Sequence, residues 1–191
     1  MDNRKIFLIV FILVASVQLF VPAKMIWDRE EVINTGKEYK FKTAPVDPID
    51  PFRGKFITLS YRGNVVEIEN EPEWVSGEQI YAYLTIDEYG FAEIGSVSKF
   101  KLDSHQDYIR AMVAHVSEDG SNQLTIDYPF DRFYMKESKA YEAELAYQES
   151  QQDTSKVTYA LVSIINGEAV LKDVMIDGVS IREIVKSRNQ E

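Results

Sequence analysis

Three carboxylates and three cations are the groups through which this chain could act on another molecule. Asp47, Asp50, Arg53 and Lys55 crowd one short stretch, and Arg132 and Glu137 lie close together further along. Two carboxyl groups in unlike surroundings hold different protonation states, as general acid–base cleavage requires. Asp47, Asp50 or Glu137 would serve an envelope hydrolase if two of them shared a pocket about 5–10 Å apart, the separation used in glycoside cleavage. The same charges on a stiff turn suit a recognition surface, because a rigid segment loses little entropy on binding a partner protein. A shared concave pocket favours the first reading, and outward-pointing side chains favour the second. A third reading, a small-ligand or lipid carrier, needs a hollow barrel interior.

Other chemistries find little support. The chain has no cysteine, which removes disulfides, thiolate nucleophiles and cysteine–zinc sites. Its two histidines, His105 and His115, show no zinc-enzyme spacing. Neither G-x-x-x-x-G-K-[ST], G-x-G-x-x-G nor G-x-S-x-G occurs. A Ser–Lys dyad assembled by the fold would leave no signature. We therefore expect no catalytic, cofactor-binding or metal-ligating set and no cofactor. A formal net charge of −10 opposes binding to nucleic acid or to anionic lipid through the domain surface. These exclusions favour a non-enzymatic binding domain over the hydrolase.

The stretch Pro45–Tyr61 must position the first group of charges. It reads P-V-D-P-I-D-P-F-R-G-K-F-I-T-L-S-Y. Pro45, Pro48 and Pro51 each fix φ and remove a backbone donor. Gly54 then releases the chain into an apolar, β-prone run ending at Leu59 and Tyr61. These six residues are expected to build the turn and start a long strand.

An apolar block holds that turn near a membrane. Ile6–Val21 is broken only by Ser16 and Gln18, and the segment extends through Lys24 to Trp27. A helix needs about 20 residues to cross the hydrocarbon. Arg4 and Lys5 precede it, so the N-terminus is expected inside and the bulk of the chain outside. A competing expectation is a cleaved signal with Val21-Pro22-Ala23 at the cleavage site. The expected organisation is a cytoplasmic N-terminus (1–5), a transmembrane anchor (6–27) and a juxtamembrane helix or spacer (28–37). An extracytoplasmic β-rich domain (38–180) and a polar tail (181–191) follow.

Period-two alternation and turn residues predict strands over 38–43, 56–61, 65–68, 79–86, 91–97, 108–116 and 124–128. The region 79–128 reads as an antiparallel meander. Asn166-Gly167 predicts a tight hairpin between 157–165 and 168–176, since both positions of a type I′ turn need φ > 0. The only convincing soluble helix covers 136–149, with Ala140, Tyr141, Glu144, Leu145 and Gln148 on one stripe and Ala143 and Tyr147 beside it. Ser150–Ser155 reads as a polar loop. The fold class is therefore β-rich α+β: a transmembrane helix, then a compact, mostly antiparallel, barrel- or sandwich-like domain with one amphipathic helix.

At Pro45–Tyr61 the chain resembles the GDYXXLXY family of membrane-anchored bacterial proteins, whose pattern is approximately P-x-D-P-x-D-x-x-x-G-D-Y-x-x-L-x-Y. Pro45, Asp47, Pro48, Asp50, Gly54, Leu59 and Tyr61 match, while Lys55 and Phe56 replace the motif's Asp and Tyr. Asp127–Glu137 (D-Y-P-F-D-R-F-Y-M-K-E) resembles the family's second recurring block. The family has no established activity, so the resemblance implies a location and a fold layout. It implies a single-pass protein of the bacterial cytoplasmic membrane with its C-terminal domain outside. It also implies a multi-pass membrane or other envelope protein as companion.

Overall fold

The computed structural model describes residues 3–45, 56–68, 74–117, 121–153 and 155–188. Helix α1 runs unbroken from Asn3 to Thr35 and contains Pro22. At 1.5 Å per residue it is about 50 Å long. Its large apolar side chains from Ile6 to Trp27 are exposed. Among the described residues it is the one helix long and apolar enough to cross a membrane. No break separates the expected anchor from the expected juxtamembrane helix.

The far end of α1 is seated on the β domain. Val32 is its buried residue, and the Val32 carbonyl accepts the Ser163 hydroxyl at 2.6 Å and the Gly36 amide at 3.0 Å. A Cβ on Gly36 would lie 2.5 Å from both Ser163 Oγ and the Val32 oxygen. Glycine at position 36 thus lets the chain turn straight from the helix into the first strand. Arg29 reaches past this point to donate to the Ala169 carbonyl at 3.2 Å.

Twelve strands follow α1 among the described residues. One sheet joins β12 (Val179–Ser180), β11 (Glu168–Ile176), β10 (Thr158–Ile165), β1 (Lys37–Ala44) and β3 (Ser60–Tyr61), in that order. A second joins β4 (Val65–Glu67), β8 (Gln123–Asp127), β7 (Tyr108–Val116), β5 (Gln79–Ile86) and β6 (Ala92–Ser98). A two-stranded ribbon pairs β2 (Phe56–Thr58) with β9 (Arg132–Tyr134). The strand pairings are antiparallel, and together they curl into a nearly closed, barrel-like sheet around one core. The expected fold class holds.

Several expectations are corrected. The run 56–61 is two short strands in different sheets: the Leu59 amide still follows the β9 register, donating to the Asp131 carbonyl at 2.7 Å, and Ser60 and Tyr61 then pair with β1. The region 79–128 is no simple meander: β7 pairs with β5, not with β6. The connection between them crosses the outside of β5, where the Leu102 amide donates to the buried Tyr83 hydroxyl at 2.6 Å. Gln106 donates to the Leu84 carbonyl beside it.

Helix α2 spans Glu137–Gln152 and buries Ala140, Ala143, Ala146, Tyr147 and Ser150, while Tyr141 is 67% exposed. Of the two expected stripes, Ala140, Ala143 and Tyr147 face inward, joined by Ala146 and Ser150, while Tyr141 and Leu145 do not. The expected loop at 150–155 is in part this helix, with Ser150 bonded to Tyr147 and Thr158. The expected tail contains a further helix, α3 (Ile181–Arg188), whose Ile181 and Val185 are fully buried. Arg188 ties it to Glu149 of α2 at 2.5 Å.

Candidate functional site

The two sequence blocks singled out above meet in space. Phe56, Ile57 and Thr58 pair with Tyr134, Phe133 and Arg132. Alternation along this ribbon divides its side chains. Ile57, Leu59 and Phe133 are buried, while Thr58, Arg132 and Tyr134 are exposed and Phe56 is half-buried.

The inward side is an aromatic cluster. Phe41, Tyr61, Tyr128 and Phe130 form all six possible ring pairs, with centroids 5.1–6.2 Å apart. Edge-on and tilted geometries of this kind add about 0.5–1.5 kcal/mol per pair beyond burial. The Tyr61 hydroxyl donates to the Phe130 carbonyl at 2.8 Å and the Tyr128 hydroxyl to the Gly63 carbonyl at 3.2 Å. Burial pushes both phenols up and takes Tyr147 up to about 12, so all three stay neutral donors. The rings fill space that a carrier would need to keep hollow.

The outward side is an aromatic–cationic patch. The Phe56 and Tyr134 rings stand 5.5 Å apart, and the Arg132 guanidinium lies 5.2 Å over Phe56. Arg132 also pairs loosely with Asp131 at 3.7 Å. Glu137 is exposed in the first turn of α2. It takes no part in Arg132's ion pair. Leu59 and Tyr61 belong to the core, and Pro45 is exposed at the end of β1. Asp47, Pro48, Asp50, Pro51, Arg53, Gly54 and Lys55 lie outside the described residues. Phe56, where the family pattern has tyrosine, keeps a ring against Tyr134.

Two features escaped sequence reasoning. Asp107 accepts from Lys37 at 2.8 Å and from the Tyr39 hydroxyl, fastening the start of β7 to the start of β1. The Lys37 bond, then the Tyr39 bond, hold the Asp107 carboxyl below the usual range, and the same pairing raises Lys37. A carboxyl whose pKa falls on folding adds stability above its unfolded value, about 3.9, and loses it as pH drops through the folded value. Asp107→Asn is therefore expected to lower Tm at pH 7, modestly because the pair is exposed. That deficit relative to the parent shrinks below pH about 4. An equal deficit at pH 7 and pH 3 would contradict this role.

The second feature is a cleft of about 410 Å³ between α1 and the β10–β11 turn, lined by residues that include Met25, Asp28, Arg29, Glu31, Asn166 and Glu168. Among the described residues no three His, Asp or Glu side chains gather as metal ligands would.

An apolar N-terminal helix seated on a β-rich domain defines the class, a candidate single-pass membrane-anchored protein. A family model described as GDYXXLXY protein matches residues 18–174, and the chain belongs to that family. The match runs from within α1 to β11 and includes both strands of the ribbon. No curated protein and no solved structure matches the chain.

Proposed function

We propose that this is a membrane-tethered accessory domain of the bacterial envelope that binds a protein partner through the outer face of the β2–β9 ribbon. In this reading α1 is a retained anchor and Arg4 and Lys5 keep its start in the cytoplasm. The domain from about residue 38 then lies on the far side. The observation that carries the reading is the juxtaposition of Phe56, Arg132 and Tyr134. Aromatic and arginine side chains dominate binding energy at protein interfaces. Glu137 follows β9 closely, so its charge would border the patch, and Asp47, Asp50, Arg53 and Lys55 are further candidate contacts by their place in the sequence before β2. The seating of Val32 and Gly36 on β10 supports retention of the helix, since it makes the anchor's end part of the domain.

The test is affinity recovery of the full chain from gently solubilised membranes. The parent chain is expected to retain one specific membrane protein. Arg132→Ala and Tyr134→Ala should each lower that recovery about 10-fold or more, as truncation at the centre of an interface does. Recovery of nothing above background, or equal recovery by both variants, would count against the reading.

A further inference from the structure

Gln18 sits deep in the apolar part of α1. The midpoint of Ile6–Trp27 falls between Ser16 and Val17, and Gln18 lies about 2 Å from it along the axis. Among the described residues its carboxamide has no hydrogen-bond partner. Pro22, four residues on, has no N–H to give the Gln18 backbone carbonyl. Ser16 has an outlet of its own, because a serine hydroxyl can bond the carbonyl four residues back. A carboxamide beside a freed carbonyl presents two unpaired polar groups at one depth of the hydrocarbon, where each costs several kcal/mol.

The direction of Gln18 says what can cover it. At 3.6 residues per turn, Phe11, Val14, Gln18, Pro22 and Met25 share one face. Continued upward, this face reaches Arg29 and Val32, which are bonded to Ala169 and Ser163 of the β10–β11 hairpin. Asn166, in the turn of that hairpin, lines one cleft with Met25, Asp28 and Arg29 of α1. The hairpin thus overhangs the Gln18 face.

A second copy of the chain does not fit beneath the overhang. Its own α1 would rise about 25 Å past Gln18 to Thr35, through space the first copy's hairpin occupies. Crossing angles of about 20–40° displace it by only about 4–9 Å at the level of Met25, less than one helix diameter of about 10 Å.

We infer that the Gln18 face receives a transmembrane helix of another integral membrane protein. That helix ends near the headgroups, beneath the β10–β11 turn, and offers a hydrogen-bonding side chain near its middle. The cleft of about 410 Å³ leaves room for its end. This rests on the proposed reading that α1 is retained and the domain acts through a membrane partner.

The test places p-benzoylphenylalanine singly in the full chain in native membranes, at positions 11 and 14 on the Gln18 face and at 9 and 20 on the opposite face. Illumination is expected to give adducts from 11 and 14 only. Peptide mass spectrometry should map them to an apolar segment of a different protein carrying a polar side chain. Gln18→Leu should lower their yield about 3- to 30-fold, the range of polar contacts between membrane helices. Adducts of twice the chain's mass would overturn the inference in favour of a second copy. Equal yields from both faces, or insensitivity to Gln18→Leu, would also overturn it. Absence of helix adducts while Tyr134 still captures a partner would sink this inference alone. Absence of both would sink the proposed function with it.

Discussion

Replacing Tyr61 by alanine lowers the stability of the domain by about 3–5 kcal/mol, the usual cost of deleting a buried aromatic side chain. Tyr61 is 4% exposed and touches three other rings, so its loss opens a cavity where β1, β3 and the segment before β9 converge. Tyr61→Phe keeps the rings and leaves the buried Phe130 carbonyl without its donor. That single change costs about 1–3 kcal/mol. Denaturant unfolding of both variants separates packing from hydrogen bonding. A loss below about 1 kcal/mol for Tyr61→Ala would mean that the cluster does not hold the two sequence blocks together.

Gly167→Ala is the second large effect. Asn166 and Gly167 have φ of 52° and 83°, the left-handed pair that a type I′ hairpin turn needs. A side chain there carries about 1–2 kcal/mol of backbone strain. Its Cβ would also stand 2.4 Å from the Tyr108 ring. The Gly167 carbonyl meanwhile accepts the Arg110 amide at 2.9 Å, and Arg110 pairs with Glu168. The turn is therefore clasped to β7 and cannot simply back away. Overpacking adds about 1–3 kcal/mol. In a Tyr108→Ala background the overpacking part should vanish while the strain remains, and a double-mutant cycle reads the difference. Equal costs for Gly167→Ala in both backgrounds would show that the ring is not the obstacle.

Local chemistry explains which parts of the fold were legible in the sequence. The Asn166-Gly167 hairpin and the strands at 79–86 and 108–116 announce themselves through turn residues and alternation, which act over a few positions. The division of 56–61 is set by two partners far away in the chain, β9 up to Leu59 and β1 from Ser60, and no local pattern carries it. Helical spacing places Ala140, Tyr141 and Leu145 on one stripe with Ala143 and Tyr147 beside it, and packing buries Ala140, Ala143 and Tyr147 while leaving Tyr141 exposed. Helix α3 offers only Ile181 and Val185 as buried anchors, and these matter only once a sheet exists to receive them.

The candidate site was legible in the same uneven way. Arg132 stood out as a charge in an aromatic block, and the motif stood out through its prolines. Their union could not be read, because it depends on the register that sets Phe56 against Tyr134 and Thr58 against Arg132. In the sequence Phe56 stands out only as a departure from the family pattern. Its partnership with Tyr134 gives that departure a physical meaning: an aromatic ring is kept on the ribbon.

The most direct test of partner recognition at the ribbon is photocrosslinking from its outer face in living cells. p-Benzoylphenylalanine replaces Tyr134, which is 61% exposed, or Tyr89, which is 72% exposed and lies outside the ribbon in the β5–β6 turn. The account predicts one dominant adduct from position 134, weakened about 10-fold by Arg132→Glu, and none of that mass from position 89. No adduct at 134, or the same adduct in equal yield from both positions, would contradict it.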